Sequence, residues 1–336
     1  MVEEMKQLGQ HHTLFNGIDA STQKRFNLRA HILNVAGDGI ALAEAMGLAS
    51  PGNAIRPCHH CTIKATQAPN GTYYIPHQPQ HFTQPLPKRE NLRVMLDLWR
   101  EIEAIGRKKD IGTRVGIKRW SILNELPSIH QPRSYALDLM HNVLSNITPQ
   151  LYALWTGSRF DSDDMRQLKT KAKLQARKDA QSASQQRAQP TSLPLQQPAA
   201  YVIPDKEWIS ISHSIEQSRS TIPQSLGQGG RSIANHSKGF KAMEWEAFLL
   251  HYAIPMLEHH TEFHPYLKNF LLLKEIYIVA RSWKISHLQL DQLRSQCKQF
   301  VKSFELLYIQ GDENRMKVCG INIHSLLHLG RSYLHT

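Results

Sequence analysis

Long apolar runs are missing from this 336-residue chain. No stretch approaches the roughly 20 consecutive apolar residues that a membrane-spanning helix needs. The amino terminus, MVEEMKQLGQHH, has no apolar signal region, so neither a membrane protein nor a secreted one is expected. Cysteine is scarce. Cys58, Cys61, Cys297 and Cys319 are too few and too unevenly spaced for a disulfide framework, which points to a reducing, intracellular compartment, nuclear or cytoplasmic. Acidic residues are short as well. There are 28 Asp and Glu against 40 Lys and Arg, a formal charge of +12, and that surplus favours polyanionic partners such as nucleic acid without constraining the fold. No Walker loop, dinucleotide fingerprint or Ser-His-Asp arrangement is present, and no internal repeat. Apolar residues nevertheless make up 41% of the chain, so a real core can form and global disorder is not expected. The length suits two domains, or one domain with a large insertion.

The sequence falls into segments of different character. VEEMKQLG (2–9) has the spacing of a short amphipathic helix. NLRAHILNV (27–35) alternates polar and apolar residues and runs into Gly37-Asp38-Gly39, which predicts a buried strand ending in a turn. IALAEAMG (40–47) follows as a helix closed by Gly47, before a Pro51-Gly52 break. Residues 65–90, rich in Pro, Gln and His, read as an irregular loop. RENLRVMLDLWREIEAIGRKK carries Leu92, Met95, Leu96, Trp99, Ile102 and Ile105 on one helical stripe, and a second helical stretch is expected from about Ser134 to Trp155. Residues 161–200 turn basic and then rich in Gln, Ser, Ala and Pro, the composition of a disordered linker. From Trp208 onward four segments show the three-to-four-residue apolar spacing of helices. The expected organisation is therefore 1–70, 71–160, a linker at 161–200, and 201–336, mainly α with a small α/β remnant at the start.

Few residues carry candidate chemistry. Asp38 stands where a strand ends between two glycines, a place suited to a divalent metal, although Gly-Asp-Gly is equally ordinary turn chemistry. Cys58-x2-Cys61 has the bite of one half of a tetrahedral zinc site; a redox pair or two buried thiols are the alternatives. His324-x3-His328 puts two imidazoles on one helix face, with His11, His12, His59, His60, His259 and His260 as competing ligands. Cys297 and Cys319 lie in apolar sequence and read as core. Asp138 precedes an apolar helix and is expected to cap it. Lys169, Lys171, Lys173, Arg177 and Lys178 belong to a basic run that reads either as solvated surface or as phosphate contacts.

Taken in order, LNVAGDGIALAEAMG, CHHC, GIKRWSILNELP, LDLMHNVLSNITPQLYALWTG, RSTIPQSLG, KAMEWEAFLLHYAIPML and HSLLHL resemble the CACTA-type (En/Spm-like) DNA transposases, in the form known from fungal genomes. The resemblance covers nearly the whole chain. It implies a partial RNase H-like core carrying a large helical insertion, in which two aspartates and a glutamate hold two divalent ions, Mg²⁺ or Mn²⁺. It places Asp38 as the second of those aspartates. It also implies that Cys58, Cys61, His324 and His328 share one structural zinc across the insertion. The sequence departs from the pattern in two places. Asp19 is too close to Asp38 to be the first aspartate, and no acid follows His328 before Thr336. The expectation is thus a transposase-derived, DNA-binding, zinc-stabilised protein that does not itself catalyse strand transfer. DNA is the expected partner, self-association is left open, and a helical scaffold with neither metal nor DNA activity is the alternative.

Overall fold

The computed structural model describes residues 2–9, 15–68, 72–89, 99, 101, 103–104, 106, 114–159, 199–223, 230–310 and 312–332. Among these, helix predominates and strand is confined to three two-stranded sheets. In chain order, α1 (Val2–Gly9) precedes an antiparallel hairpin of β1 (Phe15–Ile18) and β2 (Arg25–Leu28), then β3 (Val35–Gly37) and α2 (Gly39–Met46). β4 (Thr66–Gln67) and β5 (Tyr73–Tyr74) form a second short antiparallel ladder, and β6 (Tyr135–Leu137) pairs with β3. A π-helical stretch, Met140–Ile147, runs into α3 (Thr148–Trp155). The longer helices that follow are α4 (Asp205–Ser218), α5 (Ala242–Ala247), α6 (Ala253–Leu257), α7 (His264–Ala280), α8 (His287–Ile309) and α9 (Ile321–Ser325). No helix among the described residues is long and apolar enough to cross a membrane. The helix expected over 89–109 falls largely outside the described residues, as do Lys169, Lys171, Lys173, Arg177 and Lys178.

The chain divides into two compact units, Met1–Val143 with Asn269–Thr336, and Leu144–Lys268. In the first, β3 and β6 are parallel, with Val35 opposite Tyr135, Ala36 opposite Ala136 and Gly37 opposite Leu137. The strand expected over 27–35 is therefore displaced toward the carboxyl side. Alternation alone did not say where a partner strand lay: Leu28 ends an exposed hairpin and Leu33 faces solvent, and ladder pairing starts only at Val35. Ile32 and Val35 reach the core made by Leu42, Ala43, Met46, Leu48, Ile117, Leu126, Ile129 and Tyr135. The helix expected from Ser134 likewise begins as β6, because Tyr135 is buried in that same core. α2 and Gly47 are as the sequence reads them.

Gly47 ends α2 at φ 72°, in the left-handed region, and its carbonyl accepts from Lys118 N at 2.8 Å and Arg119 N at 3.0 Å. A Cβ here would lie 2.1 Å from the Arg119 carbonyl oxygen. No side chain can move out of the way, since the obstacle is backbone. Gly47→Ala is expected to cost about 2–5 kcal/mol, combining left-handed strain with overpacking. Chemical denaturation of the variant checks this, and a loss below about 1 kcal/mol, less than left-handed strain alone, would contradict it.

α8 shows why the carboxyl-terminal helices form. Ser286 caps it, accepting from Gln289 N, and Gln289 returns the bond to Ser286 N. Leu290, Leu293, Cys297, Phe300, Val301, Phe304 and Tyr308 then make a continuous buried stripe at three-to-four-residue spacing. Glu305 lies buried on the same stripe, and a buried acid needs partners. The unit Leu144–Lys268 is built around aromatic side chains instead. Tyr152 meets Trp208 edge to face at 4.9 Å and Trp155 meets Phe263 at 5.1 Å.

Candidate metal centre

Cys58 and Cys61 lie in a tight turn that backbone and side chain hold from several directions. Thr62 N donates to Pro87 O at 2.9 Å, and Cys61 bridges to Lys88. The buried Arg89 guanidinium donates to the Cys58 carbonyl through Nε at 3.0 Å and Nη2 at 2.8 Å, and through Nη2 to Arg56 O at 2.9 Å. The Cys58 sulfur accepts from His60 N at 3.3 Å. Ile63, Ala65, Ile75 and Leu86 wrap the pair in a small apolar cluster, with Ile321 and Leu327 packed against it. His324 lies on α9, and His328 follows one turn later in the 3₁₀ turn Leu326–His328. The two cysteines and two histidines are each at most 1% exposed.

All four donor atoms converge. Cys58 Sγ is 3.4 Å from His328 Nε2, Cys61 Sγ is 3.3 Å from His324 Nε2, and the two Nε2 atoms are 3.2 Å apart. The whole set lies within 4.8 Å of one another. Two imidazole nitrogens and two sulfurs converge on one buried point, a crowding that thiol–imidazole hydrogen bonds alone do not require. A shared cation does. Zn–S of about 2.3 Å and Zn–N of about 2.0–2.1 Å give tetrahedral edges of about 3.6 Å for S···N and about 3.4 Å for N···N. The three spacings above lie within about 0.3 Å of these edges, and soft thiolates with imidazoles are the donor set zinc takes. The residues present therefore fit one zinc ion with no open position, the pattern of a structural site.

The electrostatics favour one thiolate beside a neutral His324. Burial raises the Cys58 thiol, but the hydrogen bond from Cys61 and the neighbouring His328 and His324 charges outweigh it and hold Cys58 well below the ordinary thiol range. Cys61 keeps its proton, pushed up by that hydrogen bond and by burial. Burial holds His324 neutral, down to about 4, and does the same to His59 and His60, at about 4 and about 3. Burial likewise raises Cys297, to about 12, and Cys319 above the ordinary thiol range, so both stay inert thiols as the sequence suggests.

The competing histidines resolve simply. His59 and His60 sit in the same turn outside the four-donor group, His259 and His260 belong to the unit Leu144–Lys268, and His11 and His12 lie outside the described residues. Asp38 ends β3 as anticipated, but its observed duty is capping: Oδ1 accepts from Ile40 N at 2.9 Å and Ala41 N at 2.7 Å. Asp138 also caps its helix. Its Oδ1 accepts from His141 N at 3.0 Å, and its Oδ2 pairs with His141 Nδ1 at 2.6 Å. Sequence reasoning missed that β3 and β6 are neighbours, so that both aspartates follow the last register pair, Gly37 and Leu137. It also missed Arg89, His77 and Glu305, none of which lies in a motif. No family model, curated protein or solved structure matches this chain.

Proposed function

We propose that the chain is a DNA-binding core derived from a CACTA-type transposase, intracellular, held together by one structural zinc, and without strand-transfer activity of its own. On this reading β3, β6 and α2 are the RNase H-like remnant, and the helices are the insertion. The observation that carries it is the meeting of Cys58 and Cys61 with His324 and His328, across 270 residues in the case of Cys58 and His328. Asp38 supports it by ending a parallel-paired strand shortly before the cysteine turn. The charge of +12 supplies the attraction to DNA.

Salt titration of duplex-DNA binding, followed by fluorescence anisotropy, tests the DNA part. If Lys169, Lys171, Lys173, Arg177 and Lys178 each hold one phosphate, their contribution to the slope of log K against log salt is about −4.5. Raising salt from about 50 to about 200 mM then weakens binding roughly 500-fold, and changing all five to Gln removes that share of the slope. Affinity indifferent to salt, or to the five changes, would return this run to solvated surface and favour the scaffold alternative.

A further inference from the structure

Outside the four ligands, one buried chain of polar groups has no role in the reading above. His77 follows β5 in the segment Ile75-Pro76-His77, docked by Ile75 N donating to Cys319 O at 2.8 Å. Its Nδ1 is 2.6 Å from Glu305 Oε1, and its backbone N–H donates to both Glu305 oxygens, at 3.1 and 3.0 Å. Its Nε2 is 2.8 Å from His324 Nδ1. The two rings lie 15° from parallel with centroids 5.1 Å apart. The side chains of His77 and Glu305 are 0% and 9% exposed, so water does not substitute for these contacts.

The proton positions follow from this geometry. The Glu305 carboxylate is an acceptor, so the hydrogen between it and His77 lies on His77 Nδ1, and Nε2 of the same ring faces His324 Nδ1 as the acceptor. His324 Nδ1 must then be the donor to it, which leaves the lone pair of His324 on Nε2, the atom that faces Cys61 Sγ at 3.3 Å. His328 has no such support, for its Nδ1 is buried without a hydrogen-bond partner among the described residues. We infer that His77 and Glu305 are positioning residues of the metal centre: they fix the tautomer and ring orientation of His324, making it the stronger of the two imidazole ligands. This rests on the zinc reading. Removing an outer-shell partner of this kind typically weakens metal binding about 10–100-fold.

The test measures Zn²⁺ affinity by competition with a chromophoric chelator, and the Co²⁺ ligand-field spectrum, in the full chain and in H77F, H77Q and E305Q. Phe keeps the ring and neither hydrogen bond, whereas Gln keeps an acceptor toward His324 and a donor toward Glu305. H77F is expected to bind Zn²⁺ about 10–100-fold more weakly with shifted Co²⁺ bands, E305Q to lose less, and H77Q to recover most of the loss. H77F binding as tightly as the unsubstituted chain overturns the relay, as does equal loss in H77F and H77Q, which would mean packing alone. Should H77F not fold, ¹⁵N-histidine labelling of the unsubstituted, zinc-loaded protein decides. A through-bond coupling between His324 Nδ1 and His77 Nε2 is expected, and its absence overturns the proposal. An unsubstituted chain that takes no zinc is a different failure, of the metal centre itself.

Discussion

Stripping zinc is expected to unfold the unit formed by Met1–Val143 and Asn269–Thr336. A structural zinc contributes an apparent 10–16 kcal/mol or so at neutral pH, as much as the whole stability of a typical domain, about 5–15 kcal/mol. The local geometry says why little would remain. Without the ion, two sulfurs and two Nε2 atoms stay crowded within 4.8 Å, and His59 Nε2 and His328 Nδ1 are already buried with no hydrogen-bond partner among the described residues. The turn carrying Cys58 and the helix carrying His324 would separate to regain water. Protein purified without added metal should contain one zinc per chain by elemental analysis. A strong chelator, or the substitution Cys58→Ser, should abolish its cooperative melting transition and make Cys61 reactive toward alkylating agents. Cys297→Ala is the control, since that thiol lies on the α8 stripe and its loss should leave zinc content unchanged. Protein free of zinc, or melting unaltered by the chelator, would sink the metal centre.

How much of this was legible in the sequence depends on how local the signal was. The four ligands could be named because Cys-x2-Cys and His-x3-His are spacing signals within a turn and within a helix. Their union, however, came from the resemblance, since nothing in either motif reaches across 263 residues from Cys61 to His324. The residues around them were out of reach. His77 sits in a Pro- and Gln-rich stretch and finds Glu305 at a separation of 228 residues; Arg89 finds the Cys58 carbonyl 31 residues away. One sign was there to be read: Glu305 falls on the otherwise apolar face of α8, where an acid must be paired. Helix periodicity transferred well because it is a property of one segment. Strand position did not, because a three-residue ladder such as Val35–Gly37 is defined by its partner, Tyr135–Leu137. Asp138 was correctly read as a cap, yet its place beside Asp38 depends on that same pairing.

That neighbouring pair of aspartates bears directly on catalysis, and the expected result is that the chain does not cut or join DNA. Two-ion strand transfer needs carboxylates free to hold two cations about 4 Å apart, and Mg²⁺ asks for near-octahedral oxygen coordination. Asp38 Oδ1 is occupied by two backbone donors at the start of α2, and both oxygens of Asp138 are engaged by His141. Among the described residues, the group of three or more metal-competent side chains is the Cys58, Cys61, His324, His328 set, which contains no carboxylate. Asp38→Asn retains a capping oxygen and should leave stability unchanged, whereas Asp38→Ala should lose about 1 kcal/mol, the worth of an N-cap. Incubation with supercoiled and with linear duplex DNA, in Mg²⁺ or Mn²⁺, should yield no nicked or joined product from the unsubstituted chain or from either variant. Cleavage that disappears in Asp38→Asn or Asp138→Asn, with folding and zinc content intact, would show that these caps open to bind metal when DNA is present, and would make the chain an active transposase core.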